Sequence, residues 1–238
     1  MSGARNTSRR FAVELPGWLD VFLAEWNEPL DDLRGRMELA VALSGENVRR
    51  GSGGPFGAIV VEEGAGRLLG AGVNLVTAAG LSLAHAEIIA LSVAQAAIGS
   101  WNLADAGRVQ LITSCEPCAM CYGAVPWSGV GSLVWGARKA DAERAGFDEG
   151  EKPADWADAL ERRRISVTGD VLRAEAAAVL ASIQADQPTP DTVRWYAETT
   201  GSVCSPTPTF FTPRASQSSF FSTAMMISAI PLFGLSSL

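Results

Sequence analysis

Residues 113–130 read TSCEPCAMCYGAVPWSGV. The apolar run leading in, residues 109–113, has the length of a short buried strand, and residues 117–125 read as a helix. Pro117 suits a first helical turn, where its missing amide has no intrahelical acceptor to lose. Residues 133–136 follow as another strand. Upstream, residues 84–98 are apolar nearly all round, which predicts a helix packed on both sides. Residues 58–61 and 68–74 read as the strands of a hairpin turning at Gly64-Ala65-Gly66. The run GSGGPFG (residues 51–57) stops an earlier helix that begins at Asp31 and sets Met37, Val41, Ser44 and Val48 on one face. Downstream, residues 165–167 read as a fifth strand and residues 171–183 as a helix with Leu172, Ala176, Val179, Leu180 and Ile183 on one stripe. Helices alternating with strands predict an α/β fold, a three-layer α/β/α sandwich around a mixed sheet of about five strands.

Cys118 and Cys121 lie three apart in the first turn of the predicted helix, so both sulfurs project from nearly one face. Cysteines this close in sequence make poor disulfides and good metal ligands. A helix N-terminus and a bound cation both favour the thiolate over the thiol. His85, the only histidine in the chain, would add an imidazole nitrogen. Structural zinc sites close with four protein ligands, whereas three leave a position for water. Cys115 is a further thiol beside the site, in the strand-to-helix turn, and the sequence leaves its direction open. Positions i and i+2 of a helix point almost oppositely, so His85 and Glu87 share a site only at a helix N-terminal edge, where the pattern puts them. There a carboxylate can take a proton from water and later hand it to a leaving amine. We expect one zinc ion per chain on His85, Cys118 and Cys121, with Glu87 as the catalytic acid–base group.

Composition excludes several other classes. With 238 residues, 47% of them hydrophobic, the chain has material for a sizeable core and is not a disordered polyelectrolyte. A net charge of −7 gives no basic field for nucleic acid. Three of the four cysteines crowd into residues 115–121, which reads as an intracellular thiolate site, not a disulfide framework. Arg5, Arg9 and Arg10 are followed by no apolar core of signal-peptide length, and a cytoplasmic location is expected. We divide the chain into an N-terminal extension (1–30), a catalytic domain (31–186) and a tail (187–238). In the tail, thirteen of the 23 residues from Gly201 to Thr223 are Ser, Thr or Pro, and the last nineteen carry no charge. Pro231 and Gly234 interrupt that apolar end, and poor order is expected there, with no membrane partner.

His-x-Glu followed by Pro-Cys-x-x-Cys is the pattern of zinc-dependent nucleobase deaminases. On these residues, and on GGPFGAIVV, HAEIIAL and AERAGFDEG (residues 142–150), the chain resembles the cytidine deaminase superfamily, and within it the bacterial guanine deaminase branch. Transfer RNA adenosine deaminases share the zinc motifs but are expected to carry basic residues where AERAGFDEG stands. The resemblance implies a homodimer that hydrolyses a free purine base, guanine plus water giving xanthine plus ammonia. It implies that Asn74 hydrogen-bonds the base, that the Ala86 amide meets its carbonyl, and that Phe56 and Trp127 sandwich the ring. Glu143, Asp148 and Glu149 are the candidates for reading the ring N–H edge, with Glu143 the first choice. The alternatives are a deaminase of another base, nucleoside or aminotriazine, a nucleic-acid adenosine deaminase, and a zinc-binding assembly domain without catalysis.

Overall fold

Strands buried on both faces need a cover on both sides, and the order of elements supplies it. The computed structural model describes residues 11–186. Helices α1 (Trp18–Glu25) and α2 (Leu33–Arg49) lead into the hairpin of β1 (Gly57–Glu62) and β2 (Leu68–Val73). A single turn, α3 (Val76–Ala79), precedes α4 (Ala86–Ile98). There follow β3 (Val109–Cys115), α5 (Ala119–Ser128), β4 (Ser132–Ala137), α6 (Lys139–Arg144), α7 (Trp156–Glu161), β5 (Ser166–Thr168) and α8 (Arg173–Asp186). The sheet order is β2-β1-β3-β4-β5, with β1 antiparallel to both neighbours and β3, β4 and β5 parallel. This is the expected mixed five-stranded sheet.

Alternation along the strands feeds two cores. Ala58, Val60, Leu111 and Leu133 meet Ala90 and Ala94 of α4, Val125 of α5 and Leu160 of α7. Ile59, Val61, Ile112 and Val134 face the other way, against Leu19 of α1 and Met37, Leu39, Ala40 and Leu43 of α2. Each fully buried Leu or Ile contributes about 2 kcal/mol relative to exposure. A third cluster joins Ala142 of α6 and Ala176 and Leu180 of α8 to Cys115 and Ala137 at the strand ends. Helix α4 lies unusually close to β2, because β2 carries glycine beneath it. A Cβ on Gly72 would stand 2.3 Å from the Ala86 carbonyl oxygen, and one on Gly70 2.6 Å from that of Ala90.

Several boundaries differ from expectation. Helix α5 starts at Ala119, not at residue 117, because Pro117 and Cys118 stay outside it and Cys118 becomes the N-cap. Helix α4 starts at Ala86 with His85 as its N-cap. The buried face of α2 runs through Met37, Ala40, Leu43, Ser44 and Asn47, while Val41 and Val48 flank it, half-buried. Helix α1 was not expected, although Trp18, Phe22 and Trp26 recur every four residues; their rings pack at centroid distances of 6.0 and 5.8 Å. The tail of residues 187–238 lies outside the described residues.

Candidate active site

Strand register gathers the candidate residues at one edge of the sheet. Gly57 pairs with Val73, Ala58 with Thr113 and Cys115 with Ala137. The start of β1 (after Phe56), the end of β2 (before Asn74) and the carboxyl ends of β3 and β4 therefore share that edge. The carboxyl ends of parallel strands are where open α/β sheets bind ligands. The Leu75 amide donates to the Ala84 carbonyl at 2.9 Å, which draws the Asn74 turn beside His85.

His85 and Cys118 reach the site as N-caps in extended conformation, with φ −73°, ψ 153° and φ −62°, ψ 171°. The Cys118 sulfur accepts the Cys121 amide at 3.5 Å, taking the place a Ser or Asp oxygen usually fills. His85 Nδ1 lies 3.6 Å from the Sγ of Cys118 and 3.6 Å from that of Cys121. All three ligand atoms lie within 4.8 Å of one another. Zinc–nitrogen and zinc–sulfur bonds of about 2.0 and 2.3 Å at a tetrahedral angle hold the two donors about 3.5 Å apart. Donor chemistry and spacing thus fit a zinc ion.

The electrostatics favour a thiolate at Cys118. The Cys121 thiol, donating to Cys118, together with His85, holds the Cys118 thiol down to about 4 against its burial. Cys121 itself is raised, by that same hydrogen bond and by burial. Burial opposes the His85 charge, but Cys118 and the carboxylates of Glu87 and Glu149 outweigh it and raise its pKa. Cys115 is buried, which pushes its thiol well up, and its sulfur faces the Arg138 carbonyl at 3.9 Å. It is a neutral thiol outside the His85–Cys118–Cys121 group.

Two carboxylates are buried beside this group. Burial raises Glu87, and the negative charge of Cys118 adds to it. Glu149 is only 5% exposed. Burial, then the charges of Cys118 and Glu87, push it up to about 8. Its main-chain oxygen accepts the Ala119 amide at 2.9 Å, so the loop after α6 returns to the start of α5. Glu143, the first choice on the sequence, stands elsewhere: its side chain is 48% exposed on α6 and pairs with Lys139 at 3.4 Å. Asp148 is exposed and accepts the Gly150 amide at 2.8 Å, shaping the turn.

Asn74 is half-buried; its Oδ1 accepts the Val76 amide at 3.3 Å, and its main-chain N–H donates to the Phe56 carbonyl at 3.1 Å. The Ala86 amide belongs to the first turn of α4, where helix geometry provides no acceptor. Phe56 packs edge-on against Phe147 at 4.9 Å, an aromatic neighbour the sequence did not single out. Trp127, the expected second half of the ring sandwich, is 75% exposed on α5. Sequence reasoning also passed over Glu116, Lys139 and Lys152, which make polar contacts around the Glu149 loop. Only the adjacency of Glu116 to Cys115 and Pro117 could have drawn notice to any of them.

A sheet edge carrying His-x-Glu on one helix N-terminus and Cys-x-x-Cys on the next defines a zinc-dependent deaminase domain. Residues 31–137 match the model of the cytidine and deoxycytidylate deaminase zinc-binding region, and the chain belongs to that family. The guanine deaminase of Bacillus subtilis is 40% identical over 125 residues, which cover 50% of this chain and 77% of that one. The structure of guanine deaminase from Nitrosomonas europaea is 43% identical with a TM-score of 0.69, covering 74% of this chain and 97% of its own. A mutant of the protein NE0047 in complex with 8-azaguanine is 42% identical with a TM-score of 0.70, covering 74% and 98%.

Proposed function

We propose that this chain is a guanine deaminase, converting guanine and water to xanthine and ammonia. The observation that carries the reading is the pair of buried carboxylates, Glu87 and Glu149, beside one His/Cys/Cys group. The similarity to proteins named guanine deaminase, and to one holding 8-azaguanine, supports guanine over the smaller pyrimidines. His85, Cys118 and Cys121 would hold zinc, whose Lewis acidity would make water a competent nucleophile near neutral pH. The remaining chemistry belongs to the chain. Glu87, kept basic enough by burial, takes the proton of the water that attacks ring carbon 2 and delivers it to the adjacent ring nitrogen. The same carboxylate then takes the remaining proton from the new hydroxyl on carbon 2 and delivers it to the departing amine as ammonia leaves and the carbonyl forms, both transfers lying on one face of the tetrahedral carbon. The Ala86 amide donates to the base carbonyl, Asn74 orients the ring, and Phe56 covers one ring face. Glu149 takes the role first given to Glu143, because a buried carboxyl discriminates between donor and acceptor edges far better than a solvated one.

In this reading residues 31–186 form the catalytic domain of a cytoplasmic homodimer that serves purine breakdown and has neither a nucleic-acid nor a membrane partner. None of the described helices is long and apolar enough to cross a membrane. The test is ammonia release by the purified, zinc-loaded protein from guanine, adenine, cytosine, cytidine and short RNA. Guanine is expected to be turned over fastest; faster release from cytosine or cytidine would overturn the assignment.

A further inference from the structure

We infer that Lys152 is a positioning residue that locks the segment bearing Glu149 onto the turn bearing Cys118. Its side chain is 3% exposed, and its ammonium lies 2.6 Å from Glu116 Oε1. It also donates to the Pro117 carbonyl at 2.5 Å and sits 4.4 Å from the centre of the Trp156 ring. Glu116 and Pro117 are the two residues before Cys118, and Lys152 stands three beyond Glu149. One buried cation therefore joins the two loop segments of the site. The second oxygen of Glu116 accepts the Lys139 amide at 3.1 Å, and Lys139 Nζ donates to the Gly150 carbonyl at 2.7 Å. With the Ala119 amide on the Glu149 carbonyl at 2.9 Å, the loop is held at residues 149, 150 and 152 in succession.

A buried ion pair adds little net stability, because desolvation of both charges offsets most of their attraction. What it does supply here is geometry: the ammonium cannot leave without stranding Glu116 and the Pro117 carbonyl. The glutamate it fixes is the one assigned above to the ring N–H edge, and the inference rests on that assignment. A displacement of about 1 Å at a group facing the substrate costs on the order of 10²-fold in rate.

The decisive variant is the double change Glu116→Gln/Lys152→Met, which removes both charges together, so that no lone buried charge remains and only the Pro117 carbonyl loses its donor. Zinc content, amide hydrogen exchange of residues 147–152, and kcat and KM for guanine are measured against the parent. Stoichiometric zinc, faster exchange across 147–152 and a kcat/KM lower by on the order of 10²-fold are expected. Parental exchange rates, or a parental kcat/KM in the folded variant, would overturn the inference; a lowered Tm with intact kcat/KM would mark the pair as merely structural. If the double variant does not fold, Lys152→Arg carries the same measurements, since it keeps the charge but not the compact ammonium. Should the parent release no ammonia from guanine, the guanine reading falls, while the exchange comparison still decides whether Lys152 holds the loop.

Discussion

Glu87 and Glu143 were both legible in the sequence as acids near the chemistry, and the structure separates them by burial and by place. Glu87 sits in the first turn of α4 beside the metal-ligand group, while Glu143 is solvated and tied to Lys139. Glu87→Gln keeps shape but cannot shuttle a proton, so turnover should drop by at least about 10²-fold with zinc retained. Glu149→Gln should impair guanine turnover by a comparable factor, since an amide, unlike a carboxyl, cannot ionise to the all-acceptor group that the ring N–H edge pairs with. Glu143→Ala should stay within about twofold of the parent, as surface changes usually do. Steady-state kinetics with metal analysis checks all three; a Glu143→Ala enzyme crippled while Glu149→Gln is normal would reverse the assignment. The motif spacing made His85, Cys118, Cys121 and Glu87 readable. Glu149 was only one of three acids, because the sequence does not say which turn of a loop faces inward.

Helices α6 and α8 meet through one carboxylate. Asp141 accepts the Arg138 amide at 2.9 Å, closing the first turn of α6, and receives Arg173 of α8 at 2.8 and 3.1 Å. The Arg173 guanidinium, against some desolvation and with the Arg138 amide, holds the Asp141 carboxyl well below the usual range. Since the folded-state pKa lies below the unfolded value of about 3.9, the contribution is fully present above that value and fades as pH falls below it. Asp141→Asn should cost about 2 kcal/mol at neutral pH by denaturant titration, a loss typical of hydrogen bonds to charged groups. The gap between variant and parent should narrow below about pH 4; a constant gap would refute the ionic origin. At this level the sequence was most informative for the strands and for α4, where long apolar patterns leave little choice. It was least so after β4, where α6 and α7 are six residues each and too short for periodicity to speak. Helix α1 shows the opposite case: its every-fourth aromatic spacing was present, but mixed with enough polar residues to blur the stripe.

The molecule as a whole is held together partly at its site. His85 comes from the connection before α4 and the two cysteines from the start of α5, so a zinc ion held by all three would join α4 to α5 across the sheet edge. A ligand present at 1,000 times its dissociation constant adds about 4 kcal/mol to the folded state. Stripping zinc with a chelator should lower Tm by on the order of 10 °C for a chain of this size. Calorimetry with and without metal tests this, and readdition of zinc should restore the parental value. Cys118→Ala should abolish the metal-dependent shift, whereas Cys115→Ala should preserve it, because its neutral thiol faces a carbonyl and not the ligand group. The layer order and the mixed sheet followed from alternation of patterns. The docking of the 145–152 loop did not, since it depends on main-chain carbonyls and lysine tips that leave no trace in hydrophobic spacing.

The bare backbone of β2 beneath α4 gives the site a fixed footing. With no side chain at residue 72, the first turn of α4 rests directly on the strand, and the imidazole at its tip is levelled by that seat. Gly72→Ala touches no metal ligand, and of the substrate-facing residues only the main chain of Ala86. Yet its methyl group, 2.3 Å from the Ala86 oxygen, must lift the helix at the end that carries His85. Overpacking of this kind costs about 1–3 kcal/mol. Zinc affinity measured by competition with a chelator should weaken along with stability, although all three donors remain in place. A strand glycine here works as a spacer of zero thickness, and metal affinity becomes a gauge of how flush the helix lies.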